Sequence, residues 1–128
     1  MMRAVHIVGT RAPLHATAVG RIFLAHDGPA ACTAYAERAG LPRVTGNTFC
    51  ERDALVREIE AISAQGYAFD NEDAEIGVSC IAAGIYDDEG GIVACLSVSA
   101  PSDRLRRDWA PEVAQAADNI SRAIGFRG

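Results

Sequence analysis

The sequence predicts an α+β fold in which helices cover an antiparallel sheet. A hairpin pattern spans 77–101, where two runs of small and β-branched residues flank a turn of acidic residues and glycines. A helical pattern spans 51–65, where Leu55, Ile59 and Ile62 recur on one face and charged residues cover the other. The predicted order is one strand, three helices, three strands and a final helix. Because the last strands follow one another directly, sheet and helices are expected to form separate layers.

The N-terminal half is predicted to contain a strand and two helices. The strand spans 2–8 and is closed by a glycine. The first helix spans 13–26, with its N-cap at Thr17 or just before it, because four side chains recur at the i, i+3, i+4 and i+7 spacing. These side chains are Val19, Ile22, Phe23 and His26. The second, alanine-rich helix spans 29–39 and stops at the Gly-Leu-Pro sequence that follows it.

The C-terminal half begins with the helix at 51–65, which Gly66 ends. A short strand at 67–70 leads into an acidic stretch, and the hairpin follows. A helix at 108–124 closes the chain, with a proline in its first turn, where proline is tolerated. The apolar stripe of this last helix is predicted to consist of Val113, Ala117, Ile120 and Ile124.

The two faces of the hairpin differ in chemistry. A four-residue loop at 88–91 keeps two sets of alternating side chains apart, because strand side chains alternate with a period of two. The cross-strand pairs are then Asp87 with Ile92, Tyr86 with Val93, Gly84 with Cys95, Ala82 with Ser97, and Cys80 with Ser99. The opposite face is wholly apolar and consists of Ile81, Ala83, Ile85, Ile92, Ala94, Leu96 and Val98. The apolar face is therefore expected in the core. The small residues of the other face are expected to leave unfilled space beside the sheet.

Length and composition indicate a single soluble domain. A chain of 128 residues can bury a core without disulfide or metal support. The net charge of −5 and the lack of a long basic run argue against nucleic-acid binding by this chain. The four cysteines show no paired spacing, and the first residues do not form a signal peptide. No segment approaches the ~20 apolar residues of a membrane helix, so a cytoplasmic protein with reduced thiols is expected.

Three features are candidates for a binding site. Cys80, Ser97 and Ser99 share the small-residue face, which carries no charge and so differs from an ordinary solvated face. The helix start near Ala18 offers backbone N–H groups without intrahelical acceptors, and its small residues let an anion approach. Asp70 directly follows a strand and is placed to accept a hydrogen bond from a ligand hydroxyl. The alternatives are a solvated sheet face, an ordinary helix end and a turn-capping aspartate.

An enzymatic function is the competing hypothesis. Cys80 would act as a nucleophile in a small thiol hydrolase, which requires a histidine such as His15 or His26 within hydrogen-bond reach. A zinc site is less favoured, because the usual spacings of cysteine and histidine ligands do not occur. A third hypothesis is an oligomerisation fragment that no longer binds a ligand.

Three segments carry a resemblance to a known family. They are PLHATAVGRIFLAH (13–26), QGYAFDNEDAEIGVSCIAAGIYDDEGGIVACLSVSAP (65–101) and AADNISRAIG (116–125). In order and in combination they resemble the effector-binding domain of IclR-type bacterial transcriptional regulators. The resemblance implies a curved antiparallel sheet flanked by helices, broadly similar to GAF domains. It also implies a pocket for a small organic acid over that sheet.

The resemblance assigns a role to each candidate residue. The backbone N–H groups of Ala18 and Val19 match the position that receives the ligand carboxylate. The remaining ligand contacts match Asp70, Cys80, Ser97 and Ser99. No cofactor, metal or catalytic residue is implied. Binding would change the arrangement of subunits in a dimer or tetramer, and so change the DNA affinity of the full-length regulator.

The chain also departs from the family pattern. Residues 1–128 are expected to be an effector-binding domain from which the N-terminal strands and the DNA-binding domain are missing. This chain alone is therefore not expected to bind DNA. Gly84 stands where the family usually has proline and Ala100 where it usually has glycine, and neither change removes a ligand contact.

Overall fold

An antiparallel sheet lies between helices on both of its faces in the computed structural model, which describes residues 13–128. The strand predicted at 2–8 lies outside these residues. The helices are α1 Ala18–Asp27, α2 Pro29–Ala39, α3 Arg52–Gln65 and α4 Ala110–Ala123, and the strands are β1 Ala68–Asn71, β2 Val78–Tyr86 and β3 Ile92–Pro101. A single 3-10 turn, Arg107–Trp109, leads into α4. The strands follow the order β1-β2-β3 with antiparallel pairing. The α+β class predicted from the sequence is confirmed.

The two faces of the sheet pack against different helices. Ile81, Ala83 and Ile85 of β2 point to α4, where they contact Ala110, Val113 and Ala117. On the other face, Ala82 packs with α1 residues Ala18 and Ile22. α2 and α3 lie behind α1 and share with it a separate core cluster of Leu24, Cys32, Ala36, Leu41, Leu55 and Ile59. The alternation predicted for β2 thus separates the side chains that pack against α4 from those that face α1.

The first helix begins later than predicted. Residues 13–17 form a turn, and α1 starts at Ala18. Thr17 is the N-cap, and its hydroxyl accepts the Gly20 N–H at 3.0 Å. The other two helices agree closely with prediction: α2 spans the predicted residues and α3 starts one residue later than predicted.

The hairpin register is confirmed along most of its length and wrong at the turn. Cys80 pairs with Ser99 and Gly84 with Cys95, as predicted, but Tyr86 pairs with Ile92 and not with Val93. The cause is a β-bulge between Ile85 and Tyr86 that leaves Val93 as the extra residue of β3. Ile92 therefore lies on the α1 side of the sheet, and its predicted place on the wholly apolar face is wrong.

The turn itself explains the bulge. The loop between the paired residues Tyr86 and Ile92 has five residues, 87–91, and within it the Asp87 N–H donates to the Gly91 carbonyl at 2.9 Å. The Asp87 carboxylate accepts the N–H groups of Glu89 at 3.0 Å and of Gly91 at 2.9 Å. Gly90 adopts a φ of 80°, which favours glycine.

The buried stripe of α4 also differs from prediction. Val113 and Ala117 are buried, but Ile120 and Ile124 are 41% and 50% exposed. Ser121 occupies the inner position, because its hydroxyl accepts the Tyr86 N–H at 3.0 Å beside the bulge. The inner face at this end of α4 therefore carries a polar side chain that meets the end of β2.

Candidate functional site

A cavity of about 370 Å³ lies between the start of α1 and the small-residue face of β2 and β3. Its lining residues are Leu14, Thr17, Ala18, Val19, Gly20, Phe23, Asp70, Ala74, Glu75, Val78, Cys80, Ser97 and Ser99. The structure thus brings together all six residues that the sequence analysis named as ligand contacts. Most of the remaining lining side chains are apolar, so the polar groups are few and lie within a mainly apolar lining.

One wall of the cavity is the first turn of α1. The Thr17 hydroxyl accepts the third N–H of the helix, that of Gly20, and the Arg21 N–H bonds to the Thr17 carbonyl at 3.0 Å. The N–H groups of Ala18 and Val19 come earlier and have no intrahelical acceptor. Both residues line the cavity. Together with the positive end of the helix dipole, this wall suits a carboxylate.

Gly20 allows the turn before α1 to pack closely on the helix. A Cβ at this position would lie 2.5 Å from the Leu14 Cα and 2.7 Å from the Thr17 hydroxyl oxygen. A backbone atom is the obstacle, so the turn at 13–17 would have to move. The glycine therefore fixes the position of Leu14 against the cavity.

Replacing Gly20 by alanine is expected to lower the free energy of unfolding by about 1–3 kcal/mol, because the added methyl group overpacks the turn. Urea unfolding measures this loss. Gly46→Ala is the matched control, because a Cβ at Gly46 meets nothing within 4 Å. Equal stability of the Gly20 and Gly46 variants would show that the turn adjusts without cost.

The second wall is the face of the hairpin. Cys80 and Ser99 are directly paired across the two strands, and Ser97 is the next residue of β3 on the same side. Burial is the main reason why the pKa of the Cys80 thiol is raised, and the nearby Asp70 charge adds to this effect. The nearby Ser99 and Ser97 hydroxyls act in the opposite direction, and the thiol itself donates to the Ile81 carbonyl at 3.7 Å. Cys80 is therefore a neutral thiol at pH 7, which is suited to hydrogen bonding and not to nucleophilic attack.

The two described histidines lie away from Cys80. His15 is fully buried; its Nε2 donates to the Pro42 carbonyl at 2.8 Å, and its Nδ1 lies 3.1 Å from the Tyr35 hydroxyl. His26 packs beside Tyr86, with ring centroids 5.7 Å apart. Neither residue lines the cavity. The cysteine–histidine pair that the enzyme hypothesis requires is not formed by these residues, and residues 13–128 hold no group of side chains suited to a metal ion.

Asp70 lies at the end of β1 and closes the cavity between the two walls. Its side chain is buried, with 7% of the residue surface exposed, and its Oδ1 accepts the Asp73 N–H at 2.7 Å. The pKa of Asp70 is raised to about 6, chiefly by burial and to a smaller extent by the Asp73 charge. Hydrogen bonds and the Arg21 charge offset only part of this effect.

A buried ion pair behind Asp70 was not foreseen from the sequence. Arg21 is fully buried, and its Nη1 lies 2.9 Å from Asp73 Oδ2. The signal available in the sequence was a single charged residue within the apolar run 16–25. Its partner Asp73 follows more than fifty positions later in the acidic stretch. Local periodicity cannot predict a contact between residues so far apart in sequence.

Comparison with known proteins identifies the family. The family described as "Bacterial transcriptional regulator IclR C-terminal" matches residues 1–125. The chain belongs to this family. The HTH-type transcriptional repressor AllR of Salmonella typhimurium is 34% identical over 131 aligned residues, which cover 99% of this chain and 48% of AllR. This IclR-family chain therefore spans about half the length of the curated relatives it matches.

Solved structures of the same family share the fold. Transcriptional regulator YaiJ superposes with a TM-score of 0.87 at 30% identity, covering 98% of this chain and 72% of that chain. An IclR homologue from Microbacterium hydrocarbonoxydans, solved in complex with 4-hydroxybenzoate, gives a TM-score of 0.84 at 28% identity, covering 96% of this chain and 50% of that one. Within residues 13–128 of this IclR-family chain, every helix is too short or too polar to cross a membrane.

Proposed function

We propose that this IclR-family chain is an effector-binding domain that senses a small organic acid in the cavity over the sheet. The observation that carries the proposal is the pairing of free helix-start N–H groups with a hairpin wall of hydroxyls and a thiol around one cavity. Its volume of about 370 Å³ lies within the range of small-molecule sites. The complex of an IclR homologue with 4-hydroxybenzoate supports an acid as the ligand.

Each lining group has a role in this proposal. The ligand carboxylate accepts hydrogen bonds from the N–H groups of Ala18 and Val19. The other polar atoms of the ligand contact Ser97, Ser99 and Cys80, which can donate or accept. Asp70 accepts a hydrogen bond from a hydroxyl group of the ligand. The raised pKa of the Cys80 thiol favours a role as a ligand contact over a role as a nucleophile.

Ligand binding is coupled to DNA binding in the full-length regulator. An effector shifts an equilibrium only by its difference in affinity for the two states. The two states here are two arrangements of subunits in a self-associated dimer or tetramer in the cytoplasm, and the operator is bound by a DNA-binding domain outside this chain.

The proposal is tested by removing one of the N–H groups that would donate a hydrogen bond to the ligand carboxylate. Ala18→Pro removes the first N–H of α1 and leaves the helix intact, because proline is favoured at this position. Thr17 has a φ of −119° and a ψ of 149°, which is the conformation required before a proline. A hydrogen bond to a charged group is worth about 1.5–3 kcal/mol. We therefore expect Ala18→Pro to weaken acid binding by roughly ten- to a hundredfold.

Thermal unfolding of the protein with acids of different sizes is the measurement. An acid at 100 times its dissociation constant stabilises the domain by about 2.7 kcal/mol. Ser97→Ala is expected to reduce this shift, and Ser63→Ala, at an exposed position of α3, is the control. Failure of every acid to raise the transition, or an unchanged response of both Ala18→Pro and Ser97→Ala, would contradict the proposed site. Turnover of an ester that depends on Cys80 would instead support the enzyme hypothesis.

A further inference from the structure

The two ends of the cavity belong to elements that share no sheet hydrogen bonds. The carboxylate end is the start of α1, and the hydroxyl-accepting end is Asp70, at the end of β1. A helix and a strand do not join in a backbone ladder, so side chains must fix their separation. That separation sets which ligand can reach both ends at once.

Arg21 is the side chain that joins the two elements. It extends from α1, and its Nη2 donates to the Phe69 carbonyl at 2.7 Å, one residue before Asp70. Its Nη1 donates to the His15 carbonyl at 3.2 Å, in the turn that precedes α1. Arg21 therefore holds the backbone on both sides of the cavity. It does not itself line the cavity.

The contact continues to Asp70 through Asp73. Arg21 Nη1 lies 2.9 Å from Asp73 Oδ2, and the Asp73 N–H donates to Asp70 Oδ1 at 2.7 Å. The loop that carries Asp73 is held on its other side by Thr48, whose hydroxyl donates to the Asp73 carbonyl at 2.7 Å. That second anchor fixes the loop to residues 43–48 but not to α1. The distance between Asp70 and the helix start therefore depends on Arg21 in addition to the packing of Ala18 and Ile22 against Ala68.

We propose that Arg21, acting with Asp73, is a positioning residue that sets the selectivity of the cavity for acids bearing a hydroxyl group. The proposal rests on the function proposed above. Arg21 touches no ligand atom. It keeps the Asp70 carboxylate at a fixed distance from the helix start, so that only a hydroxy acid of matching carboxylate-to-hydroxyl separation contacts both.

The test uses two pairs of acids that differ by one hydroxyl group: glycolate with acetate, and 4-hydroxybenzoate with benzoate. Dissociation constants are measured by calorimetry for the parent protein, Asp70→Asn, Arg21→Lys and Asp73→Asn. Lysine keeps the positive charge but offers one nitrogen where arginine uses two, so it cannot hold Phe69, His15 and Asp73 together. Arg57→Lys, at an exposed position of α3, is the control for the substitution itself.

The expected result is a loss of discrimination. For the pair whose hydroxy acid the parent protein prefers, the ratio of the constants for the plain and the hydroxylated acid falls about tenfold in Asp70→Asn, which removes the charged acceptor. It falls by about three- to tenfold in Arg21→Lys and Asp73→Asn, because the acceptor is displaced and not lost. In Arg21→Lys and Asp73→Asn the affinity for the plain acid stays within about threefold of the parent, since the helix-start N–H groups are kept. An unchanged ratio in both Arg21→Lys and Asp73→Asn would overturn the proposal.

A measurement without ligand separates this proposal from the function on which it rests. If the parent protein binds none of the four acids, the proposed function fails for these ligands. Carboxyl NMR of the free protein still tests the positioning contact. Arg21→Lys is expected to shift the Asp73 amide signal and the titration of Asp70, and Arg57→Lys to shift neither. An unchanged Asp70 titration and Asp73 amide in a folded Arg21→Lys protein would reject the positioning role, and circular dichroism confirms the fold.

Discussion

Replacing Arg21 by methionine is expected to lower the free energy of unfolding by about 3–5 kcal/mol, because removing one partner of a buried ion pair leaves the other charge unpaired. The residue left behind is Asp73, which is 4% exposed. The Phe69 and His15 carbonyls also lose their hydrogen-bond donor. Unfolding in urea measures the loss, and an unchanged m-value shows that the midpoint reports stability.

The matched control is Arg57→Met, which removes an exposed cation from α3 and is expected to change stability by less than about 0.5 kcal/mol. The double variant Arg21→Met with Asp73→Asn no longer buries an unpaired carboxylate. It is expected to lose less than the sum of the two single losses. Additive losses, or a loss below about 1 kcal/mol for Arg21→Met, would show that the pair does not join α1 to the acidic loop.

Replacing Asp70 by asparagine is expected to stabilise the free domain by about 1–3 kcal/mol at pH 7. Burial raises the pKa of Asp70 to about 6, from 3.8 for the ordinary side chain. A raised carboxyl pKa means that the folded state binds the proton more tightly than the unfolded state. The contribution to stability is therefore fully present below pH 3.8 and is lost as the pH rises through about 6. Asparagine keeps an acceptor for the Asp73 N–H and carries no charge to bury.

Thermal unfolding of the free protein between pH 4 and pH 7 is the measurement. The parent protein and the Asp70→Asn variant are expected to be closest in stability near pH 4 and to diverge as the pH approaches 7. Asp53→Asn, at an exposed position of α3, controls for the general loss of a negative charge. A constant difference between the Asp70 variant and the parent across this range would mean that Asp70 titrates normally.

Ligand binding is expected to follow the same titration. The ionised Asp70 carboxylate shares the cavity with an anionic ligand, and two like charges in one site repel. Affinity for a plain acid such as benzoate is therefore expected to rise as the pH falls from 7 to 5, and Asp70→Asn is expected to remove this dependence. The aspartate would thus lower both stability and plain-acid affinity in exchange for hydroxyl selectivity.

Local patterns were sufficient to predict most of the fold and to collect the cavity residues. Strand alternation predicted that Cys80, Ser97 and Ser99 share one face. Alternate residues of a strand point to the same side, and the pairing register aligns the two strands. A cap at or before Thr17 and a run of small residues predicted a helix start in this region, and the family resemblance assigned the ligand-binding N–H groups to Ala18 and Val19. Their meeting in one cavity was implied by family resemblance and not by periodicity, since no local pattern says which helix covers which face.

The features that sequence did not predict depend on contacts between distant elements. The bulge at Val93 arises because Asp87 closes a five-residue loop, and alternation alone favours an even one. The exposure of Ile120 and Ile124 follows from the hydrogen bond between Ser121 and Tyr86. The Arg21–Asp73 pair joins segments far apart in sequence. Each is a polar contact that overrides an apolar pattern.

The division of β2 into two alternating sets has a consequence for the evolution of specificity. Ile81, Ala83 and Ile85 stabilise the domain against α4, while Cys80 borders the cavity. Selection on Val78 and Cys80 therefore acts largely through ligand chemistry, while Ala82, which packs with α1, and the positions that face α4 are selected for folding. A descendant of this chain can exchange one effector for another through Val78 and Cys80 while the remaining positions of β2 maintain its stability.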